Sequence, residues 1–252
     1  MNGNRSPLAN IPTVTKNLLL INGGMFALAF LFESMNQVDL NSILGLYYFD
    51  SPKFQPFQII THMFMHGGMM HIIFNMYALW MFGQILEKVW GPKRFFIYYM
   101  ITGLGAAVLH SLVNYIHVQS VLSALTPENA ERILNEGQAI LLESKNYTDP
   151  VLAKINIEIF RLINVPVVGA SGAVFGLLLG FGMLFPNTKL MLMFIPVPIK
   201  AKYFVMGYGA IELINGIANT QGDNIAHFAH IGGMLFGFIM IKLWQKDQRN
   251  FQ

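Results

Sequence analysis

Six apolar stretches, roughly Asn17–Phe32, Ile59–Leu86, Phe95–Ile116, Ser171–Phe185, Tyr203–Ile217 and Ile225–Leu243, set the folding problem for this chain. A helix needs about 20 residues to cross a bilayer, and it satisfies its own backbone hydrogen bonds while doing so. The second stretch is long enough to include a loop entering the membrane; the fourth and fifth are short, as for helices that begin or end below its surface. Only 12% of the residues are charged, against about 25% in a soluble domain. The sequence therefore predicts an all-α, polytopic membrane protein: a six-transmembrane-helix bundle forming one domain over 17–244, flanked by an N-terminal segment 1–16 and a tail 245–252. No cleavable-signal pattern precedes the first run, so it reads as a retained anchor.

Charge placement gives an orientation. Arg5 and Lys16 precede the first stretch, Lys88, Lys93 and Arg94 follow the second, Lys189, Lys200 and Lys202 follow the fourth, and Lys242, Lys246 and Arg249 follow the sixth. By the positive-inside rule these share the cytoplasmic side, with both termini. Asp39, Asp50 and Asp223 lie on the other. The expected location is a cell (inner) membrane, multi-pass. The basic residues sit at helix ends, so a net charge of +3 is no nucleic-acid signature. With no cysteine, disulfide and thiol chemistry are absent, and the sixteen methionines read as adaptable packing.

The one sizeable polar insertion, 117–166, is placed outside the cytoplasm. Thr126-Pro127-Glu128 and Asp149-Pro150 are helix-start signals, and Val151, Ile155, Ile159 and Leu162 share a helical face. Two short amphipathic helices are expected, peripheral to any active centre. Lys189–Lys202 is broken by Pro196 and Pro198 and reads as a hairpin-like connection.

Polar groups inside lipid are expensive and usually functional. Ser171 sits between Gly169 and Gly172 where a helix begins, beside N–H groups with no partner in the helix, which suits a nucleophile that must stabilise an oxyanion. Close helix packing is the competing reason for such small residues. His230, Gly233 and Gly237 share a face of the sixth stretch. If the fourth helix packs there, His230 can meet Ser171, the minimal pairing for nucleophilic catalysis. His227 reads as a solvated histidine. On the second stretch His71 and Asn75, four apart, can both donate to an oxyanion. His62, His66 and His71 lack a nearby carboxylate for a catalytic metal site; no metal and no cofactor is expected, and His62 and His66 read as braces for the loop.

Taken together, His66, His71-xxx-Asn75, Gly169-Ala170-Ser171-Gly172 and Ala229-His230-xx-Gly233-xxx-Gly237 resemble the rhomboid intramembrane serine proteases over roughly Phe57–Phe238, excluding the insertion. The resemblance implies a six-helix bundle around a water-filled cavity open to the extracytoplasmic side, with 17–244 as the protease domain. It implies a Ser–His dyad without an acid, Ser171 and His230, and an oxyanion hole from His71, Asn75 and the Ser171 N–H. Phe175 matches an aromatic position packed on the catalytic histidine, and Glu87 an acid that holds the bundle together. A Trp-Arg pair common in the first loop is Phe57-Gln58 here, which leaves the anchoring of that loop open. Glu212, inside the fifth stretch, has no implied role. The implied partners are transmembrane protein substrates and the lipid bilayer, with no nucleic acid and no metal. A silent relative would generally have lost Ser171 or His230. A transporter or channel would place charges on several stretches, whereas Glu212 alone, histidines aside, lies well inside one.

Overall fold

A computed structural model describes residues 10–35, 38–192, 195–218 and 226–249. Arg5 and Asp223, used above for orientation, lie outside these, as do parts of the two terminal segments. The chain runs α1 (Thr13–Ser34), α2 (Leu40–Leu44), α3 (Gln58–Thr61), α4 (Met69–Ala78), α5 (Gln84–Ser123), α6 (Pro127–Leu142), α7 (Pro150–Asn164), α8 (Ser171–Leu184), β1 (Lys189–Leu192), β2 (Ile195–Lys200), α9 (Ala201–Ala218) and α10 (His227–Arg249). A π-helical turn over Leu79–Gly83 joins α4 to α5. Helix dominates, but the expectation of an all-α chain needs one correction: β1 and β2 pair antiparallel, Lys189 opposite Lys200. This is the hairpin that the two prolines of Lys189–Lys202 signal.

Among the described residues, three stretches are long and apolar enough to cross a membrane: Thr13–Ser34, Met69–Ser123 and His227–Lys246. The middle one covers 55 residues, far more than one crossing needs. It is broken at Gly91, whose φ of 76° and ψ of 162° are not helical, and Pro92 follows. A left-handed φ of this kind suits glycine. The break falls between the second and third apolar stretches of the sequence. Ser171–Leu184 is a shorter apolar helix.

That shorter helix lies at the centre. An apolar helix without a polar face must be buried all round, and ten residues of α8, from Gly172 to Gly182, are buried. Small residues let its neighbours approach: a side chain at Gly172 would strike Ala106 of α5, and one at Gly176 would meet Thr102. Tyr98 of α5 donates its hydroxyl to the Gly176 carbonyl at 2.8 Å.

Glu87 fixes α1 at one end of the bundle. Its carboxylate accepts from the N–H groups of Val14 and Thr15 at 2.9 and 2.7 Å, and from the Thr15 hydroxyl at 2.8 Å. Two otherwise orphaned N–H groups at the start of α1 are thereby satisfied by an anion at the positive end of the helix dipole. Arg94 lies over the Trp244 ring at the same end, so the basic clusters after the second and sixth stretches sit together.

At the opposite end the first loop is anchored by Gln58. It is buried, its Nε2 donates to the Ile43 and Lys53 carbonyls at 3.0 Å each, and its Oε1 accepts from the Gln55 N–H at 3.0 Å. The residue that departs from the common first-loop pattern thus does the anchoring. The loop is joined to the approach to α8 by a bridge between Leu46 and Val167.

The insertion forms its two helices as expected. Thr126 caps α6 and Asp149 caps α7. They pack through Ile133 and Ile159 against Val118 at the far end of α5 and Tyr48 of the first loop. The third apolar helix extends to Ser123, so the insertion proper begins later than 117.

Candidate active site

Gly169 sets the geometry of the approach to α8. Its φ is 130°, and a Cβ there would lie 2.8 Å from His71 Nε2 and 3.6 Å from Ser171 Oγ. Glycine is needed for both the conformation and the clearance. The Gly169 N–H donates to the His62 carbonyl at 2.9 Å, which ties this turn to the first loop. Ser171 then opens α8, where the first-turn N–H groups have no acceptor inside the helix.

His230 is brought to Ser171 by glycine-to-glycine contact. A side chain at Gly233 would overlap the Gly172 carbonyl, and one at Gly237 would strike the Tyr98 hydroxyl. With α10 seated this closely, His230 Nε2 lies 2.9 Å from Ser171 Oγ. Phe175, one turn after Ser171, stacks on the His230 ring, with centroids 4.1 Å apart and planes 7° apart. The ring fixes the imidazole plane, and Tyr208 of α9 packs behind Phe175 at 4.9 Å.

His71 and Asn75 share a face of α4 on the other side of Ser171. The Gly67 N–H points at His71 Nδ1 at 3.4 Å. That contact makes Nδ1 the acceptor, leaving Nε2 as the donor on the side toward Gly169 and Ser171. Asn75 is buried and donates its Nδ2 to the His71 carbonyl at 3.1 Å.

Two readings of the sequence need correcting. The dyad was expected to lack an acid, yet His230 Nδ1 lies 2.9 Å from Glu212 Oε2. His227, expected in solvent, is buried, with Nδ1 2.6 Å from the same oxygen. The signal was present: a single carboxylate inside an apolar helix needs a partner, and His227 and His230, three apart, share a face. What the sequence could not supply was the approach of α9 to α10. Glu212, His227 and His230 are also a buried group whose ligand atoms, all within 4.8 Å of one another, could hold a metal ion. His62, His66 and His71 do not form such a group among the described residues. His62 instead bonds the Gln58 carbonyl through Nδ1 at 2.9 Å, and the His66 ring stands edge-on to His71.

These groups face a cavity of about 1580 Å³, lined by His71, Asn75, Ser171, Phe175, Tyr208 and His230. The insertion is not peripheral to it: α7 contributes Lys154, Glu158 and Arg161 to the wall. A bond of 2.8 Å between His117 Nε2 and Glu158 Oε1 ties α7 to the outer part of α5. Ile159 of α7 packs on the α5 end beside Val118, while Ile157 and Leu162 line the cavity with the three charged residues.

A family model described as the Rhomboid domain matches residues 53–246. The chain belongs to the rhomboid family. Curated relatives include RHOMBOID-like protein 12, mitochondrial, of Arabidopsis thaliana, 27% identical over 87% of this chain and 55% of that protein. Rhomboid protein 1, mitochondrial, of Saccharomyces cerevisiae is 28% identical over 77% of this chain and 45% of its own length. Uncharacterized rhomboid protein P4H10.10, mitochondrial, of Schizosaccharomyces pombe is 23% identical over 75% of this chain and 51% of its own length. The chain thus spans about half the length of the curated rhomboid relatives it matches. These relatives correct the expected cell (inner) membrane: all three are mitochondrial rhomboids. Lysine and arginine placement distinguishes the two sides of a membrane but not which membrane it is. The labels cytoplasmic and extracytoplasmic fall with that expectation. Rhomboid membership suggests intramembrane protease activity.

Proposed function

We propose that this rhomboid is an intramembrane serine endopeptidase of a mitochondrial membrane that cleaves the transmembrane segments of single-span proteins. Ser171 is the nucleophile and His230 the general base. The observation that carries the reading is the 2.9 Å contact between His230 Nε2 and Ser171 Oγ at the wall of a cavity. As Ser171 Oγ bonds to the scissile carbonyl carbon, its proton passes to Nε2 and the carbonyl electrons move onto oxygen. That oxyanion is met by the Ser171 N–H, His71 Nε2–H and the Asn75 amide, which leaves its resting bond to the His71 carbonyl. Collapse breaks the C–N bond, and Nε2 returns the proton to the leaving amine. A water, deprotonated by His230, then bonds to the acyl carbon; the bond from that carbon to Ser171 Oγ breaks, and Nε2 returns the proton to Oγ.

In this reading α1, α8, α9, α10 and the two halves of the Met69–Ser123 stretch are the six crossing helices. The protease domain is 17–244, and the insertion overhangs the open side of the cavity. Glu87 and the glycines at 169, 172, 233 and 237 are supports that hold the reacting groups in place. Co-expression with a panel of single-span mitochondrial membrane proteins tests the proposal. Cleavage of some panel members by the wild type and of none by Ser171→Ala is the expected result. Cleavage that persists in Ser171→Ala would refute it.

A further inference from the structure

We propose that Glu212 is a positioning residue for His230, so that this rhomboid works with a Ser171–His230–Glu212 relay in which His227 steadies the acid. The inference rests on the serine-protease reading above.

An ionised carboxylate only accepts hydrogen bonds. Its Oε2 lies 2.9 Å from His230 Nδ1 and 2.6 Å from His227 Nδ1, so both Nδ1 atoms carry the proton. His230 Nε2 is left with its lone pair toward Ser171 Oγ, 2.9 Å away. This is the tautomer a general base needs, and it is set by the carboxylate. Glu212 is 4% exposed; a lone carboxylate in such a place would be strongly disfavoured. Two N–H donors on one oxygen compensate it and fix its rotamer. Phe175 stacks on the same imidazole, so the ring is held in its plane by one contact and rotated correctly within it by the other.

During acylation the proton leaves Ser171 Oγ for Nε2, and positive charge develops on His230. Glu212 stays ionised and lies opposite that charge across Nδ1–H. The proton is passed on to the leaving amine from Nε2, never to Glu212. Among the described residues, further titratable groups around His230 are Tyr208 on α9, His227 on its own helix, and His71 and His110 on α4 and α5, and the cavity wall also carries His117, Lys154, Glu158 and Arg161. The acid among these, Glu158, is bonded to His117 at 2.8 Å.

The test is steady-state proteolysis of a transmembrane substrate by the purified chain in proteoliposomes, with thermal unfolding of every variant as a check on folding. Glu212→Gln should lower kcat by about 10²-fold or more while KM changes less than about threefold. Glu212→Asp, which keeps the charge, should recover part of kcat. His227→Asn should lower kcat by less than Glu212→Gln does, because Glu212 still faces His230. A Glu212→Gln enzyme within twofold of wild type in kcat, alongside an inactive Ser171→Ala, would overturn the relay and leave the serine-protease reading standing. If Glu212→Gln does not fold, the comparison of Glu212→Asp and His227→Asn decides: unchanged kcat in both overturns the relay. Activity abolished by a chelator and restored by zinc would overturn it in favour of a metal centre on the same three residues. Activity retained in Ser171→Ala would overturn the reading beneath it, and the relay too.

Discussion

A side chain at Gly233 would overlap the carbonyl oxygen of Gly172, so α10 and α8 touch backbone to backbone one turn from His230 and Ser171. The distance between His230 and Ser171 follows from this contact. A methyl group on Gly233 has backbone as its neighbour, which cannot swing aside like a side chain. Gly233→Ala is therefore expected to destabilise the bundle by about 1–3 kcal/mol and to reduce cleavage more than that loss of folded protein explains. Gly207→Ala, at a position with nothing within 4 Å, should do neither. Thermal unfolding and turnover in detergent check both variants; equal activity in the two would contradict the packing argument.

Glu87 accepts three hydrogen bonds from the first turn of α1. Glu87→Ala should cost about 2–3 kcal/mol, because it strands buried donors at the positive end of a helix. The expected signature is a lower unfolding temperature with near-normal kcat in the protein that remains folded. A large fall in kcat at full stability would give Glu87 a role beyond support.

For the proposed oxyanion donors, Asn75→Ala should lower kcat by roughly 10²-fold or less, since other donors persist. In the resting state its amide is already spent on the His71 carbonyl, so its gain in the transition state is partly an exchange of bonds. His71→Ala should have an effect of similar or greater size. Turnover at wild-type kcat/KM in both variants and in the double variant would remove the pair from the mechanism.

His62 lies in the loop before α4, and burial pushes its imidazole down to about 4. A group whose folded value lies below the unfolded one of about 6.5 keeps the fold at full stability above that pH. The stability is lost as pH falls from about 6.5 through about 4, because the unfolded chain takes up the proton first. His62→Asn should flatten the fall in unfolding temperature across that window. An identical slope in the variant would mean that other groups carry the acid sensitivity.

Much of this architecture was legible because lipid makes the code blunt. Apolar runs of membrane length, proline and glycine at their ends, and caps such as Thr126 and Asp149 mark where helices start and stop. The glycines of Gly233-xxx-Gly237 announced close neighbours: Gly233 meets Gly172 of α8, while Gly237 meets Tyr98 of α5. Ser171, His71, Asn75, Phe175 and His230 are gathered at one cavity because each shares a helix face with a small residue or a partner.

What stayed hidden depends on contacts between helices that no periodicity records. Glu212 was visible as a lone acid in an apolar run, but its pairing with both His227 and His230 needs the crossing of α9 and α10. The capping signal of α7 fixed its start, yet said nothing of Lys154, Glu158 and Arg161 reaching the cavity wall. Gln58 looked like a lost arginine and proved to be the anchor of the first loop. The charge pattern separated two sides of a membrane and carried no information on which membrane it is.

The central claim, that Ser171 is a nucleophile activated by His230, is tested most directly by labelling the purified protein with a fluorophosphonate. The probe bonds to a serine oxygen only when a neighbouring base removes its proton. The account predicts a labelled wild type with the adduct on Ser171, no labelling of Ser171→Ala, and greatly slowed labelling of a folded His230→Ala. Labelling of Ser171→Ala at the wild-type rate, or of His230→Ala without loss of rate, would contradict it.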